Sequence, residues 1–188
     1  MAAFDPSAYG PAFAALLRAA PQSPLGPGSP DPTHRPMLAA LAGDDAFLPP
    51  GVADRRMADA CRAGMWLLFD FLDESHAISQ ELPTAEGGYW HALMHRREPD
   101  FSNSAYWFRR VGSHPVFEPL REEAARLATG GPPQAAFLTR QTRWDPFAFG
   151  DLCEAALARR APCETLCMAI QEWEWRLLFD HCHRAAVK

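Results

Sequence analysis

Projected at about 100° per residue, the apolar positions of this chain recur with helical periodicity, and no stretch alternates convincingly with period two. From Val52 to Leu72, Met57, Cys61, Met65, Leu68 and Leu72 share one face while Arg55, Arg56, Asp59 and Arg62 lie elsewhere. This predicts a long amphipathic core helix. A break at Asp73 to Ser75, with Ser75 as cap, leads into a short helix from His76 to Glu81, and Pro83 to Gly88 reads as a connector. The next helix, Gly88 to Arg97, is apolar nearly all round, the pattern of a buried helix. Pro99 disfavours helical geometry at Glu98 and stops it.

Asp100 to Asn103 then form a turn in which Ser102 or Asn103 caps a second helix. On that helix Ala105, Trp107, Phe108 and Val111 make an apolar face and Asn103, Tyr106, Arg109 and Arg110 a polar one, with Gly112 ending it. Trp90, Trp107 and Phe108 are expected to be buried scaffold. Further helices are predicted at Leu120 to Ala128, from Pro146 to Arg160 after an Asp145 cap, and from Pro162 to Ala185.

The N-terminal part differs in kind. Asp5 and Pro6 start a peripheral helix ending by Ala20; Pro21 to Pro36 is a proline-rich connector without regular structure that wraps the surface; Met37 to Leu41 is a short helix; Gly43 to Gly51 is irregular. The expected class is therefore all-α: a single-domain irregular helical bundle over residues 1–188, with residues 1–51 as peripheral helix and proline-rich segment and 52–188 as helical core. Leu67-Leu68-Phe69-Asp70 recurs as Leu177-Leu178-Phe179-Asp180. Four residues are short for a repeat, but they fit two helices packed antiparallel at the bundle centre.

Composition narrows the function. With 188 residues, 48% of them hydrophobic, the chain can bury one sizeable core. A formal net charge of −5 gives no general attraction to nucleic acid or an anionic membrane. Lys188 is the only lysine, which excludes a lysine Schiff base or Walker lysine in the body of the chain. Five cysteines at helical positions do not read as a disulfide framework and fit a reducing cytoplasm. The N-terminus lacks the basic region of a signal peptide, and Met65 to Phe69, the longest apolar run, is too short to span a bilayer. A soluble, cytoplasmic protein is expected.

The chemistry-bearing residues concentrate between Tyr89 and Arg110. His91, His95 and Glu98 stand at i, i+4 and i+7, projecting three lone-pair donors from one side of a helix, as a divalent metal such as zinc, nickel or iron requires. His76 or His114 would join from neighbouring segments. Ala92 stands where a zinc protease carries its glutamate, so that reading fails. Glu98 and His114 are the acid–base candidates. Arg96, Asp100, Asn103, Tyr106 and Arg109 form a candidate site for a small anionic ligand, the alternative being that the arginines pair with Glu98, Asp100 and nearby acids to lock the turn. Asp73 with His76 and Asp180 with His183 have the i, i+3 spacing of a carboxylate and imidazole, but aspartates and Arg184 depart from the di-iron pattern. His181 and His183 are expected to be exposed, and Cys163 and Cys167 to be core. Phosphate loops, the nucleophile elbow and the EF-hand loop are absent. The readings left are a divalent-metal or small-anion site around residues 89–114, or a non-enzymatic helical interaction or regulatory module without metal.

Overall fold

The computed structural model describes residues 4–188 and is all-α, with no strand among the described residues. In chain order the helices are α1 (Gly10–Ala19), α2 (Arg35–Ala40), α3 (Arg55–Leu68), α4 (Leu72–Ser79), α5 (Ala85–Arg97), α6 (Phe101–Val111), α7 (Phe117–Ala128), α8 (Pro146–Leu157) and α9 (Glu164–Ala186). Short 3-10 turns fill several links, among them Asp44–Phe47 and Pro133–Thr139.

Helix α9 has 23 residues, a rod of roughly 35 Å at the usual rise per residue. Its C-terminal half packs with α1, α3 and α5 around Phe13, Phe47, Met65, Trp90 and Phe179. Its N-terminal half packs with α7 and α8 around Leu120, Leu138, Phe149 and Ile170. Helices α3 and α9 run antiparallel: the Ala53 and Asp54 amides donate to the Ala186 carbonyl, and the Trp175 indole donates to the Gly64 carbonyl at 2.8 Å. Gly64 also makes room for Trp90 of α5, since a Cβ there would lie 2.6 Å from the Trp90 ring. The two copies of the four-residue pattern thus lie on helices packed antiparallel, as expected, although the copies themselves are not equivalent. Leu177 to Asp180 is helical, whereas Asp70 leaves α3 with a left-handed φ of 64°.

That left-handed Asp70 puts the α3–α4 break at Phe69 to Phe71 instead of Asp73 to Ser75. The turn is fixed from outside: the Asp70 carboxylate pairs with buried Arg97 on α5. Helix α5 starts at Ala85, earlier than expected, because the Thr84 hydroxyl accepts the Gly87 amide at 3.1 Å. Helix α6 is capped by Asp100, which accepts the Asn103 amide at 3.0 Å, and not by Ser102 or Asn103; it does end at Gly112, φ 68°. Helix α8 stops at Leu157, short of Arg160. The proline-rich connector is not irregular throughout, because Pro32–His34 forms a 3-10 turn capped by Asp31 and α2 begins at Arg35, and it is anchored and not merely laid on the surface. Leu25 is buried in the second apolar cluster, and the Pro24 and Gly26 carbonyls accept from Gln171 and Arg97.

All side chains of α5 from Tyr89 to Arg97 are buried, as the wheel required. Trp90 and Phe108 are enclosed, but Trp107 is only half-buried, a correction explained below by what it covers. The five cysteines are all buried free thiols. No helix among the described residues is long and apolar enough to cross a membrane.

Trp90 is fully enclosed, so Trp90→Ala should cost about 3–5 kcal/mol in a urea titration. The milder Gly64→Ala should cost about 1–3 kcal/mol by overpacking against the same ring. Unchanged midpoints for both would show that the ring is not held there.

Candidate functional site

Two helices, α4 and α5, bring three imidazoles together along the C-terminal half of α5. His91 and His95 project from successive turns of α5 and His76 reaches them from α4, so that one ring nitrogen of each lies within 4.8 Å of the other two. His91 is stacked between Trp107 of α6, with ring centroids 4.1 Å apart, and His95, at 4.7 Å. His76 stands edge-on to both, at 4.7 and 5.4 Å. His91 and His95 are buried and His76 is half-buried, so the cluster meets solvent on the His76 side. Trp107 is half-buried because it roofs His91 rather than filling the core.

The hydrogen bonds assign the His95 tautomer. The Glu98 carboxylate can only accept and lies 2.9 Å from Nδ1, so Nδ1 carries the proton and Nε2 the lone pair. The Asn103 amide nitrogen, 3.0 Å from Nε2, donates to it. Glu98 therefore orients a histidine, as carboxylates beside metal-binding imidazoles do. This is a different part from the ligand or base expected of it.

His91 is the anomaly. Both its ring nitrogens are buried without a hydrogen-bond partner among the described residues, and each unpaired buried polar atom costs about 1–3 kcal/mol. Burial first, then the neighbouring His95 and His76, press its pKa down to about 3, so the ring stays neutral and keeps a lone pair.

His114 does not join this cluster. It meets Glu86 of α5 and His181 of α9, the Glu86 carboxylate lying 3.6 Å from His114 Nε2 and 3.1 Å from His181 Nε2. The Val116 amide donates to His114 Nδ1 at 3.2 Å, which leaves the proton on Nε2, facing Glu86. The two imidazoles, His114 foremost, hold the Glu86 carboxyl far below the usual carboxylate range. His114 Nε2 has no hydrogen-bond partner among the described residues, and since one atom each of Glu86, His114 and His181 lies within 4.8 Å of the others, this group between α5, α9 and the α6–α7 link is a second arrangement that could hold a metal ion. Sequence spacing gave no signal for Glu86, which is five residues before His91 on another side of α5.

The anion set is not assembled. Arg96 is buried against Glu174 of α9, 2.5 Å away, and Arg97 against Asp70, so the turn acids Glu98 and Asp100 are not their partners. Asp100 caps α6, Asn103 serves His95, and Tyr106 and Arg109 are exposed. The C-terminal histidines also differ from expectation: His183 is buried among the rings of Tyr9, Phe13 and Phe47, and His181 is half-buried on Glu86. Asp180 accepts from Tyr9 and Arg184 and is no partner of His183.

His91 and His183 both have pKa values lowered chiefly by burial. The unfolded chain then binds more protons than the folded one below about pH 6.5, so stability falls as pH drops from there toward 3. In chelator-treated protein the melting temperature should decline over this range, and His91→Asn should flatten the slope. A variant with the parental slope would show that His91 is not held neutral.

No protein-family model, curated protein or solved structure matches this chain, so the role of these residues rests on their own geometry.

Proposed function

We propose that the protein binds one divalent transition-metal ion through His76, His91 and His95. The observation that carries this reading is His91: a buried, neutral ring with both nitrogens unpaired among the described residues, between two further imidazoles. A metal ion supplies a partner for the lone-pair nitrogen, and imidazole nitrogen suits zinc, nickel and iron. In tetrahedral geometry with metal–nitrogen bonds near 2.0–2.1 Å, ligand nitrogens stand about 3.4 Å apart. The cluster, spread over 4.8 Å at most, reaches this by side-chain rotations of about an ångström.

Glu98 supports the centre from behind by holding the His95 Nδ1 proton, leaving Nε2 for the metal. Coordination there displaces the Asn103 amide. Three imidazoles leave at least one coordination position for water or an exchangeable ligand, and half-buried His76 provides the approach. A small anion would then bind at the metal, not at Arg96. A metal-bound water in that position is the natural reactive group for a hydrolytic step.

Elemental analysis of protein made in metal-supplemented medium should find about one equivalent of zinc, nickel or iron, lost in His91→Ala with His95→Ala. Binding requires neutral imidazoles, so affinity should fall as pH drops through about 6.5. Glu98→Ala should weaken binding about 10–100-fold. Asn103→Ala should strengthen it about fivefold, the worth of one competing hydrogen bond near 1 kcal/mol. Equal metal content in parent and double variant would remove this reading for α5, and only if both lack metal would a metal-free helical module be left.

A further inference from the structure

The group around Glu86 holds another buried imidazole nitrogen without a partner. Glu86 comes from the first turn of α5, His114 from the α6–α7 link and His181 from α9, and one donor atom of each lies within 4.8 Å of the other two. A single carboxylate oxygen, Glu86 Oε1, faces both rings, 3.6 Å from His114 Nε2 and 3.1 Å from His181 Nε2.

The two separations differ in what they can be. At 3.1 Å His181 donates to Glu86, whereas 3.6 Å is too long for a hydrogen bond. His114 Nε2 has no partner among the described residues, although its side chain is only 1% exposed. A hydrogen-bonded tie would draw this ring in by about half an ångström. The distances instead bracket the ~3.4 Å at which two ligands of one tetrahedral ion stand. His114 is also held in this orientation, because Tyr89 and His181 pack edge-on to it with ring centroids 5.1 and 5.0 Å away.

Two imidazole nitrogens and one carboxylate oxygen suit zinc(II) and iron(II), whereas magnesium and calcium favour all-oxygen sites. The carboxylate also offsets one of the two charges of the ion. Side-chain exposure rises from 1% at His114 through 13% at Glu86 to 30% at His181, so an ion enters, and water completes its coordination, on the His181 side.

We propose that Glu86, His114 and His181 hold a second divalent ion, zinc(II) or iron(II), which pins α9 and the α6–α7 link to the start of α5. The site shares no residue with His76, His91 and His95. His91 follows Glu86 by five residues, which places it about 7.5 Å along the α5 axis and on another side, so no ligand bridges the two ions. Coordination uses the Nε2 lone pairs, and in the structure Nε2 of each ring carries a proton directed at Glu86. In His181 that proton moves to Nδ1. In His114 the same shift gives up the Val116 amide bond to Nδ1. This site therefore fills after the three-imidazole site, where His95 already presents its lone pair.

The test titrates zinc(II) into the chelator-treated full chain while long-range proton–nitrogen spectra follow the ring nitrogens of each histidine. With the second equivalent, Nε2 of His114 and His181 should change from the protonated to the metal-bound shift and the Val116 amide should move, with His34 unaffected. In His91→Ala with His95→Ala the same changes should come with the first equivalent. Glu86→Gln, and separately His181→Asn at a part-exposed position, should weaken this binding at least ~10-fold, while circular dichroism and the His91 response stay parental. Unchanged His114 and His181 nitrogens in excess zinc, changes that survive both Glu86→Gln and His181→Asn, or a parallel shift of His34 marking adventitious surface binding would each overturn the inference. A response confined to His91 and His95 would leave their site standing without this one, and a response confined to His114 and His181 would do the reverse.

Discussion

The structure depends on a buried ion pair, Arg96 with Glu174, to which the Tyr89 hydroxyl also donates at 2.9 Å. Arg96 and Glu174 are at most 1% exposed, and removing one partner of such a pair typically costs about 3–5 kcal/mol because the other is stranded in the core. The pair therefore fixes the axial and rotational position of α5 against α9, as apolar contacts alone would not. Arg97 repeats the device with Asp70, binding the far side of α5 to the α3–α4 turn and, through the Gly26 carbonyl, to the proline-rich connector.

Once α5 is held in this way, its remaining faces are determined. His91 and His95 are carried to the junction with α4 and α6, where His76, Glu98, Asn103 and Trp107 surround them. Glu86, a turn nearer the helix start, reaches His114 and His181. Leu93 and Arg96 form one side of a cavity beside α9. Three polar constellations thus radiate from one helix, and their inventories differ in kind. In the Glu86 group His181 hydrogen-bonds to Glu86, and His114 Nε2 faces the same carboxylate without a hydrogen-bond partner among the described residues. In the histidine cluster His91 leaves both ring nitrogens without partners among the described residues, which is the physical ground for assigning a ligand to it.

The sequence by itself determined the helical class, the core helices, the complete burial of α5 and the convergence of His91 and His95. These follow from local periodicity and from the i, i+4 geometry of any helix. His76 was legible as a candidate only because its helix came next in the chain. Only the tertiary structure decided between His76 and His114, since one lies on the neighbouring α4 and the other beyond α6, and no spacing rule ranks contacts between separate helices. It also moved the arginine partners from the adjacent turn acids to Glu174 and Asp70, and turned Glu98 from a ligand into the group orienting His95. A helical wheel gives the direction of a side chain but not what stands opposite it. For a charged residue on a wholly buried helix, the opposing group decides whether it binds a ligand or holds the fold together.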